Sequence, residues 1–261
     1  MTHAAPPARS NDAADLTGEP VDTAVNPFDH RDLVVFDLDG TLIDSIGVWN
    51  EVDRRLRERL GLPALGEAER GAFREDALRR HAAAASPYLE YCRELGTSAG
   101  SPLPPADILR LRYELGEKLL VNEVDYKPGA DVLVRRLSAR GIRLAIASTT
   151  RRPNLEIYLS RNQNIRSKAP LDEFFDPILV RDDVREGKPS PEVYLRILEE
   201  TGVPADRALA VEDSLTGVES ARAAGIDVVA VHDRHSDPDR AAIDALVLRT
   251  YRDFGACGGV P

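Results

Sequence analysis

Four short stretches of the chain carry the residue types that handle phosphoryl groups and divalent cations. Phe36-Asp37-Leu38-Asp39-Gly40-Thr41-Leu42 sets two carboxylates two residues apart directly after an apolar run. Residues two apart at the end of an extended strand face the same side, where like charges repel, so Asp37 and Asp39 call for a cation or protons to neutralise them. Gly40 permits a sharp turn immediately after them. Ser148-Thr149-Thr150 offers hydroxyls and backbone N–H groups suited to phosphate oxygens. Gly187-Lys188-Pro189-Ser190-Pro191 holds a lysine just ahead of a helix start, in a chain with four lysines and thirty arginines. Glu212-Asp213-Ser214 supplies a second carboxylate pair. Hard oxygen ligands with no His or Cys among them suit Mg²⁺, which favours one or two carboxylates together with a phosphate. A carboxylate nucleophile beside Mg²⁺ and a lysine is the arrangement for an aspartyl-phosphate intermediate, driven by charge neutralisation and in-line positioning.

These stretches need elements that bring them to one place. Each follows one of five short apolar runs: Leu33–Phe36, Leu144–Ala147, Ile178–Val180 and Ala208–Val211 lead into them, and Val228–Val231 comes last. The runs are apolar on successive residues, as expected of strands covered on both faces. Helical stretches separate the last four, one opening at Ser190-Pro191-Glu192 with the proline at its first position and stopping at Gly202. Strands alternating with helices predict an α/β fold with a doubly wound, mostly parallel sheet, whose ligands sit beyond the carboxyl ends of the strands. After the first strand the rhythm breaks. Trp49, Val52, Leu56 and Leu60 recur at helical spacing and stop at Gly61, followed by helical stretches at 72–85, 87–95 and 108–120. Residues 47–123 are therefore read as a smaller, all-helical domain inserted into a core made of 31–46 and 124–250. Residues 1–30, rich in Ala, Pro, Asp and Thr, are read as a mobile tail, and 251–261 as a loose C-terminal tail.

In order and position the four stretches resemble the four motifs of the haloacid dehalogenase (HAD) superfamily, over about Leu33 to Val231. The helical insertion between the first two, and Tyr126-Lys127-Pro128-Gly129 at its return, resemble the phosphoglycolate phosphatase and β-phosphoglucomutase branch, in which the insertion is a cap over a Rossmann-like core. The resemblance implies that Asp37 attacks phosphorus, and that Asp39 protonates the leaving alkoxide and then deprotonates water while its backbone carbonyl binds the metal. It implies that Ser148 and Thr149 hold phosphoryl oxygens, that Lys188 neutralises charge, and that Asp213, assisted by Glu212, completes a Mg²⁺ shell shared with Asp37 and Asp39. Thr41 is expected to lie at the substrate and to orient the acid–base carboxylate. The implied activity is Mg²⁺-dependent hydrolysis of a small phosphorylated metabolite. A β-phosphoglucomutase-like mutase is the alternative, but that enzyme carries a histidine twelve residues after the nucleophile, where this chain has Trp49. A non-enzymatic phospho-aspartate switch uses the same residue types in a different order.

Bulk properties narrow the partners. The net charge of −10 makes nucleic acid and acidic membrane surfaces poor partners. No apolar run reaches bilayer length and the N-terminus lacks a secretory pattern, so a cytoplasmic protein is expected. Cys92 and Cys257 form no disulfide framework or zinc set, and Cys92 is expected in the core of the insertion. His232 and His235 are read as a solvated loop. Trp49 is read as core or as the roof of the pocket. Arg74, Arg79 and Arg80 could bind an anionic substrate, although a solvated helix face is the expected reading for each.

Overall fold

The computed structural model describes residues 26–257 except 82. Six parallel strands run in the order β3-β2-β1-β4-β5-β6, with β1 (Leu33–Phe36), β2 (Arg143–Ala147), β3 (Ile178–Leu179), β4 (Ala208–Glu212), β5 (Asp227–Val231) and β6 (Arg249–Tyr251). The first five form where the continuous apolar runs predict them. Alternate residues serve two cores. Val34 and Phe36 pack on one face with Leu133 and Leu137 of α5 (Ala130–Ala139) and with Leu155 and Tyr158 of α6 (Arg152–Ser160). Leu33 and Val35 pack on the other with Val193 and Ile197 of α9 (Glu192–Thr201) and Val218 of α10 (Leu215–Ala223). In the chain, the single-turn helices α7 (Gln163–Arg166) and α8 (Leu171–Phe174) lie between α6 and α9. This is the doubly wound α/β sheet.

Between β1 and β2 stand α1 (Val48–Arg59), α2 (Glu67–Arg80), α3 (Pro87–Ala99) and α4 (Pro105–Asn122). They share a third core of their own, built from Val52, Leu56, Ala77, Tyr91, Cys92, Leu95, Ile108, Leu115 and Leu119. Helix α2 starts five residues before the expected position. Glu69 reaches back to accept from the Gly66 N–H at 2.9 Å and sets its start, and Ser86 caps the next helix by accepting from the Leu89 N–H at 3.4 Å. Pro191 precedes α9 as its N-cap residue instead of occupying the first helical position, and Gly202 ends that helix at φ +66°.

Both expected tails are shorter than their composition suggests. Residues 1–25 and 258–261 lie outside the described residues, but Phe28 is fully buried in the core against the sheet, and Asp29 pairs with Arg140 at 2.9 Å. At the other end Tyr251 belongs to β6, paired with Val231, and Phe254 and Cys257 are buried behind it. One aromatic ring in a polar stretch is enough to dock a terminus when the core has a slot for it. Replacing Phe28 by Ala is expected to lower the unfolding free energy by about 3–5 kcal/mol in a denaturant titration; a loss below about 1 kcal/mol would show that this segment is peripheral.

Candidate active site

At the carboxyl edge of the sheet the chain leaves four adjacent strands at nearly one point. Asp37 follows β1 directly, and its N–H still bonds to the carbonyl of Val211 in β4 at 2.9 Å. Ser148 follows β2, with its N–H on Leu179 at 2.9 Å, and Glu212 is the last residue of β4. Lys188 arrives from the segment between β3 and α9. Its side chain is 3% exposed, and its three N–H donors reach Glu212 Oε1 at 2.6 Å, Asp37 Oδ1 at 2.7 Å and the carbonyl of Ala147 at 2.8 Å. The ammonium has no further proton to give, so it acts as a fixed counter-charge. Burial works against the charged ammonium, but the carboxylates of Asp37 and Glu212 outweigh it and raise the lysine above its ordinary range.

The carboxylates of Asp37, Glu212 and Asp213 lie within 4.8 Å of one another and all are buried. Asp213 Oδ1 accepts from the Thr41 hydroxyl at 2.9 Å, whereas Asp213 Oδ2 and Glu212 Oε2 are shut from water and have no hydrogen-bond partner among the described residues. Burial, then the charges of Asp37 and Glu212, push Asp213 far above the usual carboxylate range. Burial likewise pushes Glu212 up to about 7, against the pull of Lys188. Three carboxylates facing one ammonium leave an excess of two negative charges if all are ionised. Two orphaned buried oxygens in a hard-oxygen cluster with that excess fit a divalent cation of the Mg²⁺ type.

Asp39 lies near enough to Asp37 to feel its charge. Its carboxylate lies outside the cluster, taking the hydroxyl of Ser45 at 2.5 Å and that of Tyr158 at 3.4 Å. Burial, opposed by Ser45 and reinforced by the charge of Asp37, pushes it up to about 6. Thr41 turns away from Asp39. It is fully buried and gives its hydroxyl to Asp213, whereas Ser45 and Tyr158 are the residues that hydrogen-bond the Asp39 carboxylate. The reason is the tight loop after β1, closed by Gly40 N–H on the Ile43 carbonyl at 2.9 Å and Ile43 N–H on Leu38 at 3.0 Å, which turns residue 41 inward. Ser148 is 3% exposed, with its hydroxyl oxygen accepting from the Thr150 N–H at 3.0 Å, and Thr149 stands exposed at the rim.

Above this edge a cavity of about 410 Å³ lies between sheet and inserted helices, lined by Asp39, Ser45, Thr149 and Arg151 from below and by Trp49, Arg74 and Tyr88 from above. Arg74 therefore faces the cavity, contrary to its reading as part of a solvated face, while Arg80 pairs with Asp76 and Glu94 outside. Sequence reasoning missed Ser45, Tyr158 and Tyr194, whose hydroxyl donates to Glu212 in a short hydrogen bond. Tyr194 occupies a buried position of α9 that reads as core, and Ser45 and Tyr158 carry no local signal.

Residues 34–231 match the model of the haloacid dehalogenase-like hydrolase family. The chain belongs to that family. As a member it is an enzyme of the hydrolase class. The chain is 31% identical over 229 residues to the protein CbbY of Cereibacter sphaeroides, covering 87% of this chain and 95% of that one. It is 29% identical over 197 residues to the phosphorylated carbohydrates phosphatase of Thermotoga maritima, covering 74% and 82%. A crystal structure of CbbY from Rhodobacter sphaeroides in complex with xylulose-(1,5)bisphosphate superposes with a TM-score of 0.61 at 29% identity, covering 88% of this chain and 99% of that one.

The cluster also constrains a glycine. A methyl group at Gly217, in the first turns of α10, would meet Glu212 Oε2 at 2.0 Å. In an open helix Gly→Ala stabilises by about 1 kcal/mol. Here Gly217→Ala is expected to destabilise by about 1–3 kcal/mol in thermal or denaturant unfolding; a raised melting temperature would show that the Glu212 carboxylate is not packed there.

Proposed function

We propose that this hydrolase is a Mg²⁺-dependent phosphatase that cleaves a small phosphate monoester through an aspartyl phosphate formed on Asp37. The observation that supports it most is the convergence of Asp37, Lys188, Glu212 and Asp213, from three separate strand ends, on one buried charge cluster. One oxygen of Asp37 is held by Lys188, and the other attacks phosphorus as the bond to the leaving oxygen breaks. Asp39, kept in place by Ser45 and Tyr158 and protonated more readily than an exposed aspartate, gives its proton to the leaving alkoxide. It then takes a proton from the water that opens the acyl phosphate, which restores both carboxyl groups. The Ser148 hydroxyl and the Thr149 N–H serve the phosphoryl oxygens. Mg²⁺, held by Asp37, Asp213 and the Asp39 carbonyl with Glu212 behind, would supply further neutralisation of the phosphoryl charge.

The organic group of the substrate occupies the cavity under the inserted helices, which acts as a cap. Its size suits a small metabolite, and Arg74, 16% exposed at the cavity wall, offers charge to a second anionic group. The bisphosphate bound by the CbbY relative has such a group. The mutase reading loses ground because position 49 is a tryptophan packed on Arg112, with no proton to exchange with Asp39. The switch reading has no support in a family of hydrolases.

Turnover of 4-nitrophenyl phosphate and of an alkyl phosphate with Mg²⁺ tests the scheme. Asp37→Asn is expected to abolish both. Asp39→Asn is expected to slow the alkyl ester by about 10²–10⁴-fold and the aryl ester, whose leaving group needs no proton, far less. Retained turnover in Asp37→Asn, or equal losses for the two esters in Asp39→Asn, would contradict these roles.

A further inference from the structure

The core of the cap contains a charged pair that packing alone does not call for. Asp53 of α1 is completely buried and Arg112 of α4 is 2% exposed, joined by Nε to Oδ1 at 3.0 Å. Tyr91 and Cys92 stand beside the pair, and apolar residues of the same volume would fill that space without the cost of desolvating two charges. The other oxygen of Asp53 accepts from Arg74 Nη1 at 2.8 Å, and the same nitrogen reaches Asn50 Oδ1 at 3.0 Å. The guanidinium of Arg112 lies between the rings of Trp49, 4.7 Å from its centre, and Tyr88, at 4.8 Å. One Arg112 nitrogen, Nη2, has no hydrogen-bond partner among the described residues, so its attachment is to Asp53 and to these ring faces. Trp49, Arg74 and Tyr88 come from three different helices, and they are the cap residues that wall the cavity over Asp39. All three contact the same buried pair.

We infer that Asp53 is a positioning residue that, directly and through Arg112, sets Arg74, Trp49 and Tyr88 as a preformed cationic and aromatic wall for the second anionic group of the substrate. The inference rests on the phosphatase reading and deepens it. A long arginine side chain at a cavity wall has many rotamers, and a buried carboxylate that holds one of its nitrogens removes most of that freedom before the ligand arrives. The remaining nitrogens stay available to the ligand. Substrates without a second anion can meet its rings but draw nothing from the charge of Arg74.

The test uses the whole chain, Asp53→Asn, and the double variant Asp53→Leu/Arg112→Met, which fills the site with apolar groups. Substrates are 4-nitrophenyl phosphate and a sugar 1,5-bisphosphate, and Trp49, the single tryptophan of the chain, reports binding of the bisphosphate by its emission. Both variants are expected to raise KM for the bisphosphate by about tenfold or more, the loss of one charge-assisted hydrogen bond, with a much smaller change in its kcat. KM for the aryl ester should shift far less, and the bisphosphate affinity read from Trp49 should fall in step with the bisphosphate KM. The double variant should fold as stably as the parent, so it carries the test if Asp53→Asn does not fold. Equal changes for both esters, a loss confined to kcat, or an unchanged bisphosphate KM would overturn the positioning role. If the parent protein turns over neither ester, the phosphatase reading fails, and the Trp49 titration still decides the inference; absence of bisphosphate binding to the parent protein counts against it.

Discussion

Burying three carboxylates against one ammonium is the constraint to which the rest of the molecule answers. Charges removed from water must be paired or neutralised, and Lys188 balances only part of what Asp37, Glu212 and Asp213 bring. The remaining imbalance appears as carboxyl groups forced toward their protonated forms and as two oxygens with no partner among the described residues. Such a cluster opposes folding unless something pays the electrostatic debt. A divalent cation and a phosphoryl group arriving together change the sign of that problem. The same crowding that penalises the carboxylates by themselves would then favour binding.

The sheet makes the crowding possible. Four of the site's residues follow or end strands that are neighbours in space, so the backbone fixes them to within two strand spacings of each other. Close approach is completed where side chains are absent. A methyl group at Gly40, where φ is +89°, would strike Asp213 Oδ2 at 2.5 Å, and Gly217 leaves the room for Glu212. Thr41, Tyr194 and Ser45 each spend a hydroxyl on one carboxylate, which keeps Asp213, Glu212 and Asp39 in separate tasks.

Much of this was legible in the sequence because the buried parallel strands leave unbroken apolar runs and the reactive residues follow them immediately. Asp37, Lys188 and Asp213 could be named from that pattern. The partners of the carboxylates could not. Thr41 is two residues from Asp39 but bonds to Asp213, 172 residues away, because the turn at Gly40 reverses its direction. Tyr158 reaches Asp39 from α6 on the far side of the cap insertion, which no local pattern encodes. Strand β6 escaped notice since Arg249-Thr250-Tyr251 has no apolar run, and Phe28 since one ring among polar residues looks like a tail. Arg74 has the surroundings of a solvated helix residue until α1 brings Asp53 to it.

The inserted helices and the sheet edge therefore use buried charge in two ways. At the sheet edge three carboxylates face one ammonium, and among the inserted helices the charge of Asp53 is already matched by Arg74 and Arg112. The direct test of the central claim is a crystal of the protein grown with Mn²⁺ in place of Mg²⁺, measured at the manganese absorption edge. The account predicts an anomalous peak between the carboxylate oxygens of Asp37 and Asp213, lost in Asp213→Ala. A folded protein with no peak there, or with manganese bound only elsewhere, would contradict it.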